Sequence, residues 1–260
     1  MQHTMARVAG VDAIARGIYL LRLHAPDLLA QGISPGQFVH IRLPGAGQQR
    51  LLRRPISVMA ARPQEGVLDL AIQTVGPGTL ALCGARPGDT LAVLGPLGRG
   101  FDAGQAQRIF FVGGGVGVAP IRFAMDAFAP GRRCAAFFGF RGAAFAYGIQ
   151  QAPCPVQVTT DDGGLGARGQ VSDLLRAAIE EEPPDLILAC GPTPMLRTVQ
   201  RLAVPEKIPC QLSLEEYMAC GLGACLVCAC KTRAMDGQGA YRRVCVDGPV
   251  FPAEEVCFDG

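Results

Sequence analysis

What is scarce in this 260-residue chain narrows its function before any motif is considered. Charged residues make up only 18 %, which argues against a nucleic-acid-binding protein, and the formal net charge of +2 adds nothing about partners. No apolar run approaches the roughly 18 residues of a spanning helix, and the first residues lack the basic-then-apolar order of a secretory signal. The expectation is a cytoplasmic protein with no membrane span. Histidine is rare, with only His3, His24 and His40. No group of acidic and basic side chains stands in a pocket-like order, so substrate chemistry is expected from another polypeptide. Internal repeats and low-complexity segments are missing too.

What is present is apolar: hydrophobic residues make up 49 %, the mark of a globular chain with large buried surfaces. The length suits two core-forming domains and a small appendage. Eleven cysteines would be odd in a disulfide scaffold of this size without an export signal. Cys83, Cys134, Cys154, Cys190 and Cys210 are scattered among apolar neighbours and read as core residues. Cys220, Cys225, Cys228, Cys230 and Cys245 instead crowd together.

Cys220-x4-Cys225-x2-Cys228 with a distant Cys245 has the plant-type [2Fe–2S] spacing. Three thiolates on one tight loop wrap one side of a small iron–sulfide diamond, and the fourth returns from elsewhere. Gly221 and Gly223 let the loop backbone approach without a Cβ clash, so its amides can point at the sulfurs. A structural zinc site is the alternative, although its usual second short Cys pair is missing. Cys230 is left out because the loop is complete without it. The lack of histidine here removes a Rieske-type ligand set.

Along the chain, Ile18–His24, Gln37–Leu43, Pro55–Met59, Val67–Gln73 and Thr90–Leu94 read as short strands between Gly/Pro turns, an antiparallel barrel or sandwich. After a break at Gly95–Gly100, the apolar strands Arg108–Val112, Cys134–Phe138, Val156–Thr160 and Leu186–Ala189 alternate with helix-compatible stretches, which implies a parallel sheet. From Gln211 the segments are short and rich in Cys and Gly and cannot bury a core alone. The fold class is thus α+β multidomain, with an antiparallel β domain, barrel or sandwich, over 1–101, a parallel α/β nucleotide-binding domain over 102–210 and a small cluster domain over 211–260.

Two further regions suit cofactors. Arg54-Pro55-Ile56-Ser57 puts a guanidinium suited to phosphate and a hydroxyl suited to a flavin on one strand, and a solvated Arg at a strand start is the plainer reading. Gly76-Pro77-Gly78-Thr79 precedes Leu80-Ala81-Leu82, as expected of a loop offering free amides to phosphate, or of an ordinary turn and cap. Ile109–Val112 runs into Gly113-Gly114-Gly115-Val116-Gly117-Val118-Ala119-Pro120, a glycine turn through which a dinucleotide can approach a helix N-terminus. Leu186–Ala189 runs likewise into Cys190-Gly191-Pro192, where Cys190 either flanks a nicotinamide or is a buried structural thiol. No acidic residue ends the second strand, and Arg141 would favour a 2′-phosphate, so NAD against NADP stays open.

In order and spacing, Arg54–Ser57, Gly113–Pro120 and Cys190–Pro192 resemble the ferredoxin–NADP reductase superfamily. With Cys220–Cys245, Leu52–Ser57, Ser213-Leu214-Glu215-Glu216 and Val244–Phe251 added, nearly the whole chain resembles the electron-transfer subunits of NAD-dependent, two-subunit (type B) dihydroorotate dehydrogenases. Tyr217, Arg99 and Cys230 depart from that pattern. The resemblance implies an antiparallel β-barrel for 1–101, with FAD on it at Arg54, Pro55, Ile56, Ser57, Ala71, Ile72, Gln73, Gly78 and Thr79. It implies NAD at Gly113, Gly115, Gly117, Pro120, Cys190, Gly191 and Pro192, and a [2Fe–2S] cluster on Cys220, Cys225, Cys228 and Cys245. It also implies an FMN-containing catalytic partner in a heterotetramer of two copies of each chain, serving pyrimidine biosynthesis. Two rivals remain: an NAD(P)H reductase serving a different partner or a diffusible acceptor, and a redox-responsive binding module with a structural cluster or zinc.

Overall fold

The computed structural model describes residues 2–43, 52–233 and 239–258. Its first part is a closed six-stranded barrel of β1 (Gln2–Ala15), β2 (Ile18–His24), β3 (Phe38–Ile41), β4 (Arg54–Arg62), β5 (Val67–Gln73) and β6 (Thr90–Leu97), in the order β1-β2-β5-β4-β3-β6. Closure depends on β1, which pairs antiparallel with β2 along one edge and with β6 along the other. Its inward residues Thr4, Ala6 and Val8 are small or weakly apolar, so the strand carries little of the alternation that reveals a strand. Strand β6 runs past the expected break, through a cis Gly95–Pro96 bond to Leu97, which pairs with Phe38. Helices α1 (Pro26–Leu29) and α2 (Pro77–Cys83) are short.

The second part is a seven-stranded sheet of β7 (Arg108–Gly114), β8 (Arg133–Phe140), β9 (Val156–Thr160), β10 (Ala167–Arg168), β11 (Leu186–Cys190), β12 (Cys210–Ser213) and a late strand, Val250–Pro252, in the order β10-β9-β8-β7-β11-β12 and then the late strand. All neighbours are parallel except that last pair. Both faces are covered, which is why β7 and β11 are apolar throughout. Ile109 and Phe111 share one cluster with Val118, Ile121 and Met125 of α3 (Val118–Phe128). Phe110 and Val112 turn to the other side, with Leu175 of α4 (Val171–Glu181) and Val199 of α5 (Thr193–Ala203).

Between β12 and the late strand lies the Cys-rich segment, whose regular structure is the hairpin of β13 (Ala229–Arg233) and β14 (Gly239–Arg243); Val250–Pro252 is therefore β15. The segment borrows its core. Cys228, Cys230, Val244, Cys245 and Phe251 are buried in one cluster with Phe38 and Leu97 of the barrel and Leu212 of the sheet. Backbone contacts add to this, the Arg99 N–H donating to the Gly248 carbonyl and the Leu214 N–H to that of Pro249.

Phe111 is fully buried at the centre of the parallel sheet, whereas Leu80 is 62 % exposed. Phe111→Ala is expected to cost about 3–5 kcal/mol in urea unfolding, and Leu80→Ala less than about 0.5 kcal/mol.

Candidate functional site

Strand β4 pairs with β3 so that Ile56 lies opposite Val39, facing the barrel core, while Pro55 and Ser57 lie opposite His40 and Phe38 and face outward. The Arg54 guanidinium runs back along the strand end, where Nη1 donates to the Leu52 carbonyl at 2.8 Å, and lies against Gly78. A Cβ on Gly78 would sit 2.5 Å from Arg54 Nε, so glycine makes room for the guanidinium beside the first turn of α2. Fewer amides are free there than the motif suggested. Thr79 Oγ1 accepts from the N–H groups of Val75 and Gly76 at 3.0 and 3.3 Å, and Pro77 has none. The Gly78 and Thr79 amides remain without intrahelical acceptors. On β5, Ile72 points into the barrel, leaving only its backbone for a ligand, whereas Ala71 lies in the cluster around β7 and α3. Gln73 is half-buried at the strand end.

The glycine turn follows β7 directly. Gly115–Gly117 forms one 3₁₀ turn and α3 begins at Val118, with Pro120 in its first turn, where a missing N–H costs nothing. Gly113 pairs with Cys190 across β7 and β11, so the two turns leave the same carboxyl edge of the sheet. They interlock. A Cβ on Gly117 would run into the Cys190 carbonyl, and one on Gly191 would lie 3.0 Å from the Gly114 amide. Burial pushes the Cys190 thiol up to about 12, with Ser213 as its hydrogen-bond partner, so it is a neutral thiol in ordinary conditions. Helix α3 packs on β4 and the glycine turn touches β5, which sets the carboxyl edge of the sheet beside the outward face of β4 and β5.

The four cysteines of the x4/x2 pattern come together as two pairs. Cys220 and Cys225 interact side chain to side chain, and so do Cys228 and Cys245. Two thiolates for each iron is the donor set a two-iron diamond needs, so these residues fit the group. The loop reverses through left-handed residues at Gly221 (φ 70°), Gly223 (φ 80°) and Leu226 (φ 59°). Its amides do face sulfur: the Leu222 N–H donates to Cys220 Sγ at 3.3 Å, and the Cys245 N–H to Cys228 Sγ at 3.4 Å. Cys225 is exposed while Cys228 and Cys245 are buried. Cys230 is set in the shared apolar core, where burial raises its thiol to about 11. Among the described residues no three His, Cys, Asp or Glu side chains gather closely enough for a single metal ion.

Residues 6–101 match the oxidoreductase FAD-binding domain, and residues 215–257 match the iron–sulfur cluster binding domain of dihydroorotate dehydrogenase B. The electron transfer subunit of dihydroorotate dehydrogenase B (NAD(+)) from Desulforamulus reducens is 36 % identical over 260 residues, 98 % of either chain. That from Bacillus caldolyticus is 39 % identical over 255 residues, 96 % of either chain.

The chain belongs to this family of electron-transfer subunits.

Among solved structures, an NADH-dependent reduced ferredoxin–NADP oxidoreductase studied for flavin-based electron bifurcation is 29 % identical, with a TM-score of 0.85 over 98 % of this chain and 90 % of that one. Phthalate dioxygenase reductase, at 18 % identity and a TM-score of 0.62 over 94 % of this chain and 77 % of that one, shares the fold. Membership in the family agrees with an FAD barrel and an iron–sulfur segment, the two cofactor regions expected from the motifs.

Several residues at the family's cofactor regions carry no motif of their own. The Tyr147 hydroxyl donates to the Val116 carbonyl at 2.9 Å and so braces the glycine turn from a distant loop. Arg243 donates to the Gly223 carbonyl at 3.2 Å and pairs with Asp247 at 3.1 Å, which ties the cysteine loop to the segment carrying Cys245. Arg141, offered above for a 2′-phosphate, is stacked over Phe145 at 4.5 Å. An acidic side chain does reach that edge, but from the end of β9: a Cβ on Gly142 would lie 2.5 Å from Asp162 Oδ2. His40 is fully buried, and burial with the charges of Arg53 and Arg54 lowers its imidazole to about 4.

Two substitutions separate these sites. Arg54→Ala removes a charged donor worth about 1.5–3 kcal/mol, so FAD affinity by fluorescence titration should fall about 10- to 100-fold, with iron content unchanged. Gly117→Ala overpacks the joint between the turns at a cost of about 1–3 kcal/mol, so the Kd for NADH should rise about tenfold while FAD and iron stay bound.

Proposed function

We propose that the chain passes electrons between a partner dehydrogenase and NAD(H), through a [2Fe–2S] cluster and FAD held on its own residues. One observation carries this reading. The outward face of β3 to β5 abuts the glycine turn on one side and the cysteine loop on the other. When bound, a flavin exchanges a hydride with nicotinamide and single electrons with an iron–sulfur cluster, so it belongs between the two.

The residues divide the work by type. Arg54, Gly78 and Thr79 hold the flavin phosphates; Pro55, Ile56, Ser57, Ala71, Ile72 and Gln73 orient its ring and ribityl chain. Gly113, Gly115, Gly117 and Pro120 admit the dinucleotide to the N-terminus of α3, and Cys190, Gly191 and Pro192 bound the nicotinamide. Asp162 at the sheet edge suits ribose hydroxyls and repels a 2′-phosphate, which favours NAD. Cys220, Cys225, Cys228 and Cys245 ligate the irons, and the Leu222 and Cys245 amides stabilise the sulfurs. The working partition is 1–101 for FAD, 102–210 for NAD and 211–260 for the cluster.

Tyr217, Leu222, Leu226 and Val227, close to Cys225 in the chain, are exposed apolar side chains, and we read them as one apolar rim. That rim is the docking face for an FMN-containing, dihydroorotate dehydrogenase-like catalytic subunit, in a heterotetramer of two copies of each chain. The substrate reaction, dihydroorotate to orotate, is that subunit's. Eleven cysteines, none of them in a disulfide among the described residues, support a reducing cytoplasmic setting.

The test is an anaerobic visible spectrum with iron, sulfide and flavin analysis, before and after adding NADH. One FAD and two irons per chain, bleached together by NADH, are expected; zinc without flavin would sink the reading. Full turnover with diffusible acceptors and no stable complex with a flavin dehydrogenase would favour a free-standing reductase.

A further inference from the structure

The contact between β3 and the cysteine loop contains a residue that packing does not account for. On β3, Val39 and Ile41 belong to the barrel core, and Phe38 and His40 face outward. Phe38 joins the apolar cluster that includes Cys228 and Cys245, and its ring meets the His40 ring edge-on at 6.3 Å. His40 is outside the barrel yet 0 % exposed. The cysteine loop helps cover it: a Cβ on Gly221 would lie 2.6 Å from His40 Nδ1. On the neighbouring strand its register partner is Pro55, so the imidazole stands between the Cys220–Cys225 loop and the Arg54–Ser57 strand.

Neither ring nitrogen has a hydrogen-bond partner among the described residues. A neutral imidazole carries one N–H donor and one lone pair, and burying such groups unpaired is costly. Phenylalanine or leucine would fill the space without that cost. Two close neighbours do not serve the ring: Arg53 Nη1 donates to the His40 and Ala92 carbonyls, and Gly221 presents no side chain. An orphaned, buried donor beside a loop built to hold sulfur is a donor kept for what that loop holds.

We propose that His40 is a positioning residue for the iron–sulfur cluster: its ring N–H is held for a sulfur of the cluster on the Cys220–Cys225 loop, fixing that loop against the flavin-bearing strands and stabilising the reduced, more negative cluster. His40 itself gains and loses neither electron nor proton. Hydrogen bonds to cluster sulfurs raise the reduction potential, which sets the direction of the effect. The proposal rests on the reading of this loop as a cluster site.

The experiment compares wild type, His40→Phe and His40→Gln as the holoprotein, measuring iron and sulfide content, the EPR signal of the reduced cluster and separate potentials for cluster and flavin. Phenylalanine keeps the volume and removes the donor, while glutamine keeps a donor. For His40→Phe with full iron, the cluster potential should fall by about 59 mV, a tenfold change in the one-electron reduction equilibrium. Its EPR signal should shift while the flavin potential holds, and His40→Gln should recover most of the change. Unchanged cluster potential and EPR signal in an iron-replete His40→Phe would overturn the proposal, as would a shift confined to the flavin. If His40→Phe does not hold its cluster, His40→Gln decides: a cluster loaded and near the wild-type potential supports the donor role, and one lost there as well overturns it. Wild-type protein without two irons would instead sink the cluster reading itself, a separate outcome.

Discussion

The outer side of the barrel is covered by protein where β3 and the end of β6 meet the cysteine segment and where β5 meets the glycine turn, and the placement of the sites depends on that burial. An antiparallel barrel in water normally keeps its outer face polar. Here Phe38, His40, Ala71 and Leu97 are buried on that side, under the cysteine segment or under the glycine turn and α3. Electron exchange between separate groups weakens steeply with distance, so the sites must lie close without a covalent link. A shared dry wall provides the closeness, and the apolar area removed from water provides the driving force.

Glycine sets how close the parts come. At Gly117 the turn after β7 lies directly on the Cys190 carbonyl, and at Gly98 (φ 74°) the barrel end lies on Pro249, where a Cβ would come within 2.6 Å of Pro249 Cδ. The first is a joint between two turns of the sheet and the second a joint between barrel and cysteine segment, and at each the entropy lost in ordering a glycine is offset by contacts no larger residue could make. A methyl group at either joint would move a whole cofactor region, because close-packed interiors transmit displacement instead of absorbing it.

The cysteine loop shows how one segment serves two environments. Cys225 and the apolar residues beside it face outward, while Cys228 and Cys245 are sealed in the core the segment borrows from barrel and sheet. Backbone amides and the Arg243–Asp247 pair hold the loop between these extremes. Apolar packing contributes more to this small part than its composition suggested, because the apolar partners lie far away in the chain at Phe38, Leu97 and Leu212.

Local pattern was enough for the elements whose signal is local. Strands β2, β5 and β9 have the ends their apolar runs imply, the cysteine spacing marks its loop, and the glycine turns stand where β7 and β11 stop. Strand β1 escaped because Thr4, Ala6 and Val8 alternate too weakly, so the local pattern left barrel and sandwich open, and the resemblance alone implied the barrel that β1 closes by pairing at both edges. His40, Tyr147, Asp162 and Arg243 were equally invisible, since each acts on a residue brought near only by the fold. The sequence by itself determined where the cysteine loop and the glycine turns lie and, through the resemblance they carry, which cofactors to expect, because ligand type, spacing and glycine placement are written within short stretches. Only the tertiary structure decided that the regions share one buried face and which polar group was left unpaired between them, because burial and pairing are properties of neighbours in space.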